Sequence, residues 1–325
     1  TRKDDQIYIN DAIIPIDEAR KAWMETLEPI FHVYGPDNQE KAPHIDYEKA
    51  NTYRPALTFA KPKVIIPVFP GTNCEYDTQR AFEKAGAQVE TVILRNLTPQ
   101  DIGDSVKFLT EKIKNCQIIA FPGGFSAGDE PDGSGKFIAA VFKNPALKEA
   151  VNEHLQLHDG LILGICNGFQ ALIKLGLVPY GEIRDINAQD PTLTFNTIGR
   201  HISRLVSTKV VSALSPWFNQ CSLDTVYNIP ISHGEGRFVA PYEMLKNLAA
   251  NGQIATQYVN HQGKALMNSI DNPNGSLWAI EGITSPDGRV LGKMGHSERM
   301  SVDTALNIPG EKIQPIFSSG VQYFK

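Results

Sequence analysis

The chain has 325 residues, with 31 Lys and Arg against 36 Asp and Glu, a net charge of −5, eight His and four Cys. A hydrophobic share of 42% with 21% charged residues argues against a disordered chain, and the acidic balance argues against attraction to nucleic acid or an anionic membrane. No apolar run reaches the ~18 residues of a membrane span and no signal peptide precedes the first charges, so a cytoplasmic protein is expected. The chain begins at Thr1 rather than Met, as a fragment or processed product would. Cys74, Cys116, Cys166 and Cys221 lie far apart with no C-x-x-C pair, so four reduced thiols and no metal site are expected.

At about 150 residues per domain the length suggests two units. Residues 1–61 differ from the rest. Ile7, Ile9, Ile13, Ile14 and Ile16 are strand-like, and 17–24 reads as a helix with Asp17 and Glu18 in its first turn, where the helix dipole favours acids. Gly35-Pro36-Asp37-Asn38 and a polar stretch then run to Lys61-Pro62, like the tail of another unit followed by a linker. From Lys63 the pattern turns regular. Apolar strands are predicted at 64–69, 89–94, 117–121 and 161–165, alternating with helices at 76–85, 101–113, 136–142 and 146–156. Gly86 would end the first of those helices as a left-handed cap. After Tyr180 the texture shifts to β, at 192–195, 204–212, 225–231, 254–259, 277–284 and 289–294, with a hairpin turn at Pro286-Asp287-Gly288. Alternating strands and helices imply a parallel sheet covered on both faces, with its site at the carboxyl ends of the strands.

Gly164-Ile165-Cys166-Asn167-Gly168-Phe169-Gln170 is the strongest local signal. A bulky apolar strand ends, Cys166 follows, and an amphipathic helix starts at once, which is the strand–sharp turn–helix of a nucleophile elbow. A thiol there meets the free N–H groups and positive end of the helix, which favour thiolate. A nucleophilic Cys needs a base and the base an orienting carboxylate. Two His-x-Glu pairs offer them: His233-Gly234-Glu235 and His296-Ser297-Glu298. On an extended chain residues i and i+2 point the same way, and the spacing leaves the choice between the pairs open. Pro122-Gly123-Gly124 follows the strand before the elbow, so its backbone N–H groups could face a developing oxyanion with the Asn167 N–H as second donor.

Taken together, Cys166-Asn167-Gly168-Phe169-Gln170, Pro122-Gly123-Gly124 and a late His-x-Glu resemble the class I, triad-type glutamine amidotransferases. More narrowly, Phe69-Pro70-Gly71-Thr72-Asn73-Cys74, the run from Gly123 to Asp129, the run from Ser232 to Phe238, and Gly295-His296-Ser297-Glu298-Arg299 resemble the glutaminase part of phosphoribosylformylglycinamidine synthases. The resemblance spans about Lys63 to Met300. It implies a three-layer, flavodoxin-like α/β fold over 62–325, with a mostly parallel sheet and added β-hairpins in the C-terminal half. It further implies Cys166 as nucleophile, His296 as base and acid, and Glu298 as its orienting partner. Gly124 and Asn167 would supply oxyanion donors, and Gly123, Gln170, Ser232, His233, Gly234 and Glu235 would line a glutamine pocket. Cys74 would be structural. Ala127 stands where the family commonly has Tyr, and Ser297 where it commonly has Pro.

The implied reaction is hydrolysis of glutamine to glutamate and ammonia, feeding ATP-dependent amidation of formylglycinamide ribonucleotide in purine synthesis. The implied partner is the synthetase region of the same polypeptide, whose tail residues 1–61 would be. No G-x-x-x-x-G-K-[ST] loop occurs in this chain, so ATP and Mg are expected in that other region and no cofactor here. The alternatives are a Cys-elbow hydrolase of similar fold acting on another amide or peptide, and a non-catalytic docking domain.

Overall fold

The computed structural model describes residues 4–36, 38, 40–50, 52–128, 134–223 and 225–325. At the N-terminus β1 (Gln6–Ile9) and β2 (Ala12–Pro15) form a hairpin, followed by α1 (Ile16–Glu25). None of the three contains a buried residue. The alternating region follows: β3 (Lys63–Val68), α2 (Glu75–Lys84), β4 (Gln88–Ile93), α3 (Pro99–Ile113), β5 (Ile118–Phe121), α4 (Lys136–Phe142), α5 (Pro145–Gln156), β6 (Leu161–Ile165), α6 (Asn167–Leu175) and α7 (Leu177–Tyr180). The β-rich part comprises β7 (Thr192–Thr194), β8 (Ile202–Val210), β9 (Val226–His233), β10 (Arg237–Val239), α8 (Tyr242–Ala250), β11 (Ile254–Tyr258), β12 (Ile280–Thr284), β13 (Val290–Lys293) and α9 (Ile316–Tyr323).

A nine-stranded sheet runs in the order β4-β3-β5-β6-β13-β12-β11-β8-β9. Its first five strands are parallel and in the chain order 2-1-3-4-5, the flavodoxin-like arrangement. The remaining pairings are antiparallel and extend the sheet beyond β13. Strands β5 and β6 are buried along their whole length, as the covered middle of a parallel sheet requires. Each fully buried Leu or Ile there contributes about 1.5–3 kcal/mol. The predicted hairpin at 286–288 joins β12 to β13, and this turn makes β13 lie parallel to β6, with Lys293 opposite Ile165.

Local chemistry moved several boundaries. Helix α3 begins at Pro99 rather than 101, because Thr98 and Asp101 close a capping box and proline suits the first helical position. The predicted strand at 277–284 starts only at Ile280; residues 277–279 form a 3-10 turn with Trp278 and Ala279 at positive φ. Helices α8 and α9 and the short β10 were not anticipated. The sequence of α9 holds Gly320 and two serines, weak helix formers, and its fold rests on packing: a side chain at Gly320 would meet the Trp217 ring at 2.3 Å.

Beyond the hairpin and α1, the approach to β3 is attached to the sheet. Ile45 is buried, Tyr47 bridges Ser212, Ala56 donates its N–H to Asp159 (2.8 Å), and Phe59 donates to the Phe324 carbonyl (2.7 Å).

Candidate active site

Strand β6 delivers Cys166 into a turn so sharp that its backbone adopts φ 51 and ψ −106, a region L-residues avoid at a cost of about 1–3 kcal/mol. Close packing holds it there. A methyl on Gly168 would lie 2.0 Å from the Phe121 carbonyl oxygen, and one on Gly164 would lie 2.6 Å from Leu172 Cδ1, so α6 can seat this tightly only with glycine at both positions. The Cys166 N–H donates to the Lys293 carbonyl (2.9 Å), and its own carbonyl accepts from Gln170 (3.0 Å) as the first bond of α6. The thiol therefore sits at the start of a helix whose inner face, Phe169, Leu172 and Ile173, is buried in the core. It is 4% exposed, with Sγ 3.5 Å from the Ser232 carbonyl oxygen.

Just past β13, His296 Nδ1 and Glu298 Oε1 are 2.6 Å apart, and both side chains are buried. The extended backbone assumed from the i, i+2 spacing is absent here. His296 has φ −87 and ψ 76, and Ser297–Arg299 is a 3-10 turn that folds the carboxylate back onto the ring. Burial by itself would lower the His296 pKa; the Glu298 carboxylate and then Cys166 outweigh it and hold the imidazole well above its ordinary value. With Nδ1 engaged, Nε2 is buried without a hydrogen-bond partner among the described residues.

The other pair also bends after its strand, but its two side chains do not meet. His233 ends β9, and its Nδ1 lies 3.1 Å from Asn196 Oδ1, whereas Glu235 accepts from the Ser134 N–H (3.1 Å). Burial, then the neighbouring His296 and His201, push the His233 pKa down to about 3, so its ring is neutral. The geometry thus separates two pairs that spacing could not.

Gly124 adopts φ +145, and a side chain there would lie 2.8 Å from Asn73 N, Gly71 O and Thr72 Cα. The loop carrying Asn73 and Cys74 packs on it, both residues donating N–H groups to the Gly123 carbonyl. Among the described residues none accepts from the Gly124 or Asn167 N–H, the two anticipated donors. The Asn167 side chain bridges onward, accepting from the Ser126 N–H (3.2 Å) and donating to Gln170 Oε1 (3.0 Å). Gln170 Nε2 donates to the Glu235 carbonyl (2.6 Å), so one end of its amide ties α6 to the 232–236 turn while the other is held by Asn167 at the start of the same helix. Ser232 Oγ is 2.9 Å from His201 Nε2, and nothing lies within 4 Å of the side-chain position at Gly234. Ala127 is exposed in a left-handed conformation. Asp129 and the rest of 129–133, part of the acidic Gly-rich stretch, lie outside the described residues.

Two side chains gain a place that the spacing did not suggest. Cys74 Sγ lies 3.9 Å from His296 Nδ1, and the Arg299 guanidinium donates to the same sulfur at 3.2 Å. Cys74, His296 and Glu298 thereby bring three metal-type donor atoms within 4.8 Å of one another, although the Arg299 cation beside the thiol opposes a second cation there. Lys293 and Glu281, buried beneath the His296 turn, were likewise missed; a buried charge on a strand carries no periodic signal. The assembled groups are a thiol at a helix N-terminus, an imidazole polarised by a carboxylate, and free backbone donors at a glycine turn. This donor set suits nucleophilic attack on an acyl carbon.

The family model described as the CobB/CobQ-like glutamine amidotransferase domain matches residues 61–324. Phosphoribosylformylglycinamidine synthase subunit PurQ of Methanococcus maripaludis (strain C5) is 36% identical over 242 residues, covering 73% of this chain and 83% of that protein. The subunit of the same name from Aquifex aeolicus is 31% identical over 243 residues, covering 74% and 92%. A chain of the solved PurLQS structure from Thermotoga maritima superposes with a TM-score of 0.59 at 28% identity, over 82% of this chain and all of that one. The chain belongs to the CobB/CobQ-like glutamine amidotransferase family, among the relatives of the PurQ subunit of phosphoribosylformylglycinamidine synthase.

Proposed function

We propose that this chain hydrolyses glutamine to glutamate and ammonia and supplies the ammonia for conversion of formylglycinamide ribonucleotide to formylglycinamidine ribonucleotide. The observation that carries the reading is the 2.6 Å His296–Glu298 pair, buried beside the strained Cys166, in a chain of this family. Cys166 is the nucleophile: with its proton already resting on the charged His296, the thiolate Sγ bonds to the amide carbon. The Gly124 and Asn167 N–H groups receive the oxyanion. The C–N bond then breaks as His296 returns a proton to the leaving ammonia, leaving a glutamyl thioester. Water, deprotonated by His296, attacks the thioester, and glutamate leaves as the Cys166 thiolate re-forms. Glu298 orients His296 and stabilises its charged form. Gly123, Gln170, Ser232, His233, Gly234 and Glu235 shape the pocket; the closed, buried thiol supports a site that opens when a synthetase engages.

Ammonia released into neutral water is mostly protonated and no longer nucleophilic, so the chain works docked to a synthetase, which holds ATP and Mg. We assign that synthetase to the same polypeptide, in the cytoplasm, with residues 1–61 its tail and linker and 62–325 the glutaminase unit. The exposed Ile9, Ile13, Trp23 and Ile30 of a segment with no buried residue in β1, β2 or α1 support this division. An electrophilic glutamine analogue should label Cys166 alone, with glutamine protecting. In the assembled enzyme Cys166→Ala should abolish glutamine-dependent synthesis and spare ammonia-dependent synthesis. Labelling elsewhere, or loss of both activities, would refute the assignment.

A further inference from the structure

The turn that carries His296 rests on a pair of charges sealed in the core. Lys293 Nζ and Glu281 Oε1 are 3.3 Å apart, and both side chains are fully buried. Taking two charges out of water costs several kcal/mol per ion, and an apolar pair of similar volume often serves stability as well or better. What this pair holds is specific. Glu281 Oε1 accepts from the Gly295 N–H (2.6 Å), and Lys293 Nζ donates to the Gly295 carbonyl (2.8 Å), so both polar groups of the residue before His296 are bound by opposite charges.

The Gly295 carbonyl also accepts from the Ser297 N–H (3.2 Å), which closes an inverse γ-turn with His296 at its centre, at φ −87 and ψ 76. Lys293 Nζ donates in addition to Ser297 Oγ (3.1 Å), and that hydroxyl in turn donates a hydrogen bond to Gln314 Oε1 (2.8 Å). Thr256 Oγ1 donates to the second oxygen of Glu281 and fixes the carboxylate. At its other end Lys293 accepts the Cys166 N–H on its backbone carbonyl (2.9 Å). One residue therefore ties the elbow to the imidazole turn.

We propose that Lys293 and Glu281 are positioning residues that set the His296 ring against Cys166 by clamping both peptide groups of Gly295. This rests on the glutaminase reading above, and it adds a device outside the Cys-His-Glu set. Misplacing a catalytic group by 1 Å can cost about a hundredfold in rate, whereas substrate held elsewhere is bound as before.

The test is a variant series in the assembled enzyme, read by glutamine turnover, by thermal melting, and by the pH dependence of Cys166 alkylation with iodoacetamide. Lys293→Met with Glu281→Leu removes both charges and both holds. It should melt no lower than about the parent, lose roughly ten- to a hundredfold in kcat with KM for glutamine within twofold, and show a displaced alkylation profile. Lys293→Met with Glu281→Gln restores an acceptor for the Gly295 N–H and should recover part of the loss. A folded Met/Leu variant with kcat within threefold and an unchanged alkylation profile would overturn the clamp. Should that variant fail to fold, Ser297→Ala decides: a severalfold fall in kcat at constant KM supports the clamp, and unchanged kcat overturns it. If the parent enzyme hydrolyses no glutamine, the glutaminase reading fails, while the iodoacetamide profile still reports whether the charge pair sets the His296–Cys166 geometry.

Discussion

A single methyl group at Gly123 tests the proposed site more sharply than removal of any functional group. The Gly123 backbone lies outside the left-handed region, so alanine brings no conformational strain of its own. Its Cβ would nevertheless lie 2.6 Å from His296 Cε1, 3.0 Å from Cys74 Sγ and 3.4 Å from His296 Nδ1. Carbon atoms pack at about 3.5–4.0 Å, so the imidazole must withdraw by about 1 Å. Its backbone cannot follow, because the His296 N–H is held by the Pro230 carbonyl at 2.8 Å. The ring must therefore rotate about its side-chain bonds, and a shift of about 1 Å is enough to open the 2.6 Å bond to Glu298 past hydrogen-bonding distance. A lost hydrogen bond to a charged group costs about 1.5–3 kcal/mol, and the displaced base costs about a hundredfold in kcat. Steady-state glutamine hydrolysis in the assembled enzyme measures the second; urea unfolding measures the first. Adding Cys74→Ala removes the sulfur contact and leaves the imidazole contact, so the double variant should remain impaired. Gly123→Ala with kcat within threefold of the parent, or full rescue by Cys74→Ala, would refute the argument that the imidazole is the group displaced.

Other consequences follow from the same geometry. Glu298→Gln keeps the shape and removes the charge, so kcat should fall about 10³- to 10⁴-fold; the apparent pKa of His296, read from the pH profile of Cys166 alkylation, should fall with it. Burial holds His154 at about 4 and His233 at about 3, below the ordinary 6.5, so the unfolded chain takes up protons that the native chain refuses. Their contribution to stability is full above about pH 6.5 and fades as pH falls toward those values, by about 2 kcal/mol each between pH 7 and pH 5. Urea unfolding at the two pH values measures it; His154→Asn should remove the His154 share of the difference, and an unchanged difference would contradict the assignment. Asp159 accepts hydrogen bonds from the Tyr53 hydroxyl and the Ala56 N–H. Asp159→Ala should speed limited proteolysis between residues 40 and 60 severalfold without changing glutamine turnover, and equal cleavage rates would count against the docked linker.

The strands and helices from Lys63 to Cys166 were legible because each depends on its own residues: continuous apolar runs for buried strands and Gly86 for a helix end, although the Thr98–Asp101 capping box that starts α3 was not read. The elbow was legible for the same reason, since strand, Cys166 and α6 are consecutive. Helix α9 was not, because its stability comes from Trp217, about a hundred residues away in the chain, rather than from propensity. The choice between His233 and His296 also lay beyond local pattern. Both histidines follow strands whose ends reach Cys166 and precede a Glu by two residues, yet only β13, which pairs with β6, is followed by a turn that folds the Glu carboxylate onto the imidazole. The same pairing gives Lys293 its two attachments and brings Cys74, from the turn after β3, against His296. Sequence by itself determined the alternating elements as far as Cys166 and the nucleophile candidate, which are contiguous. The base, its carboxylate and the charges beneath them were decided by strand order, because only the assembled sheet brings residues more than a hundred positions apart within hydrogen-bonding distance.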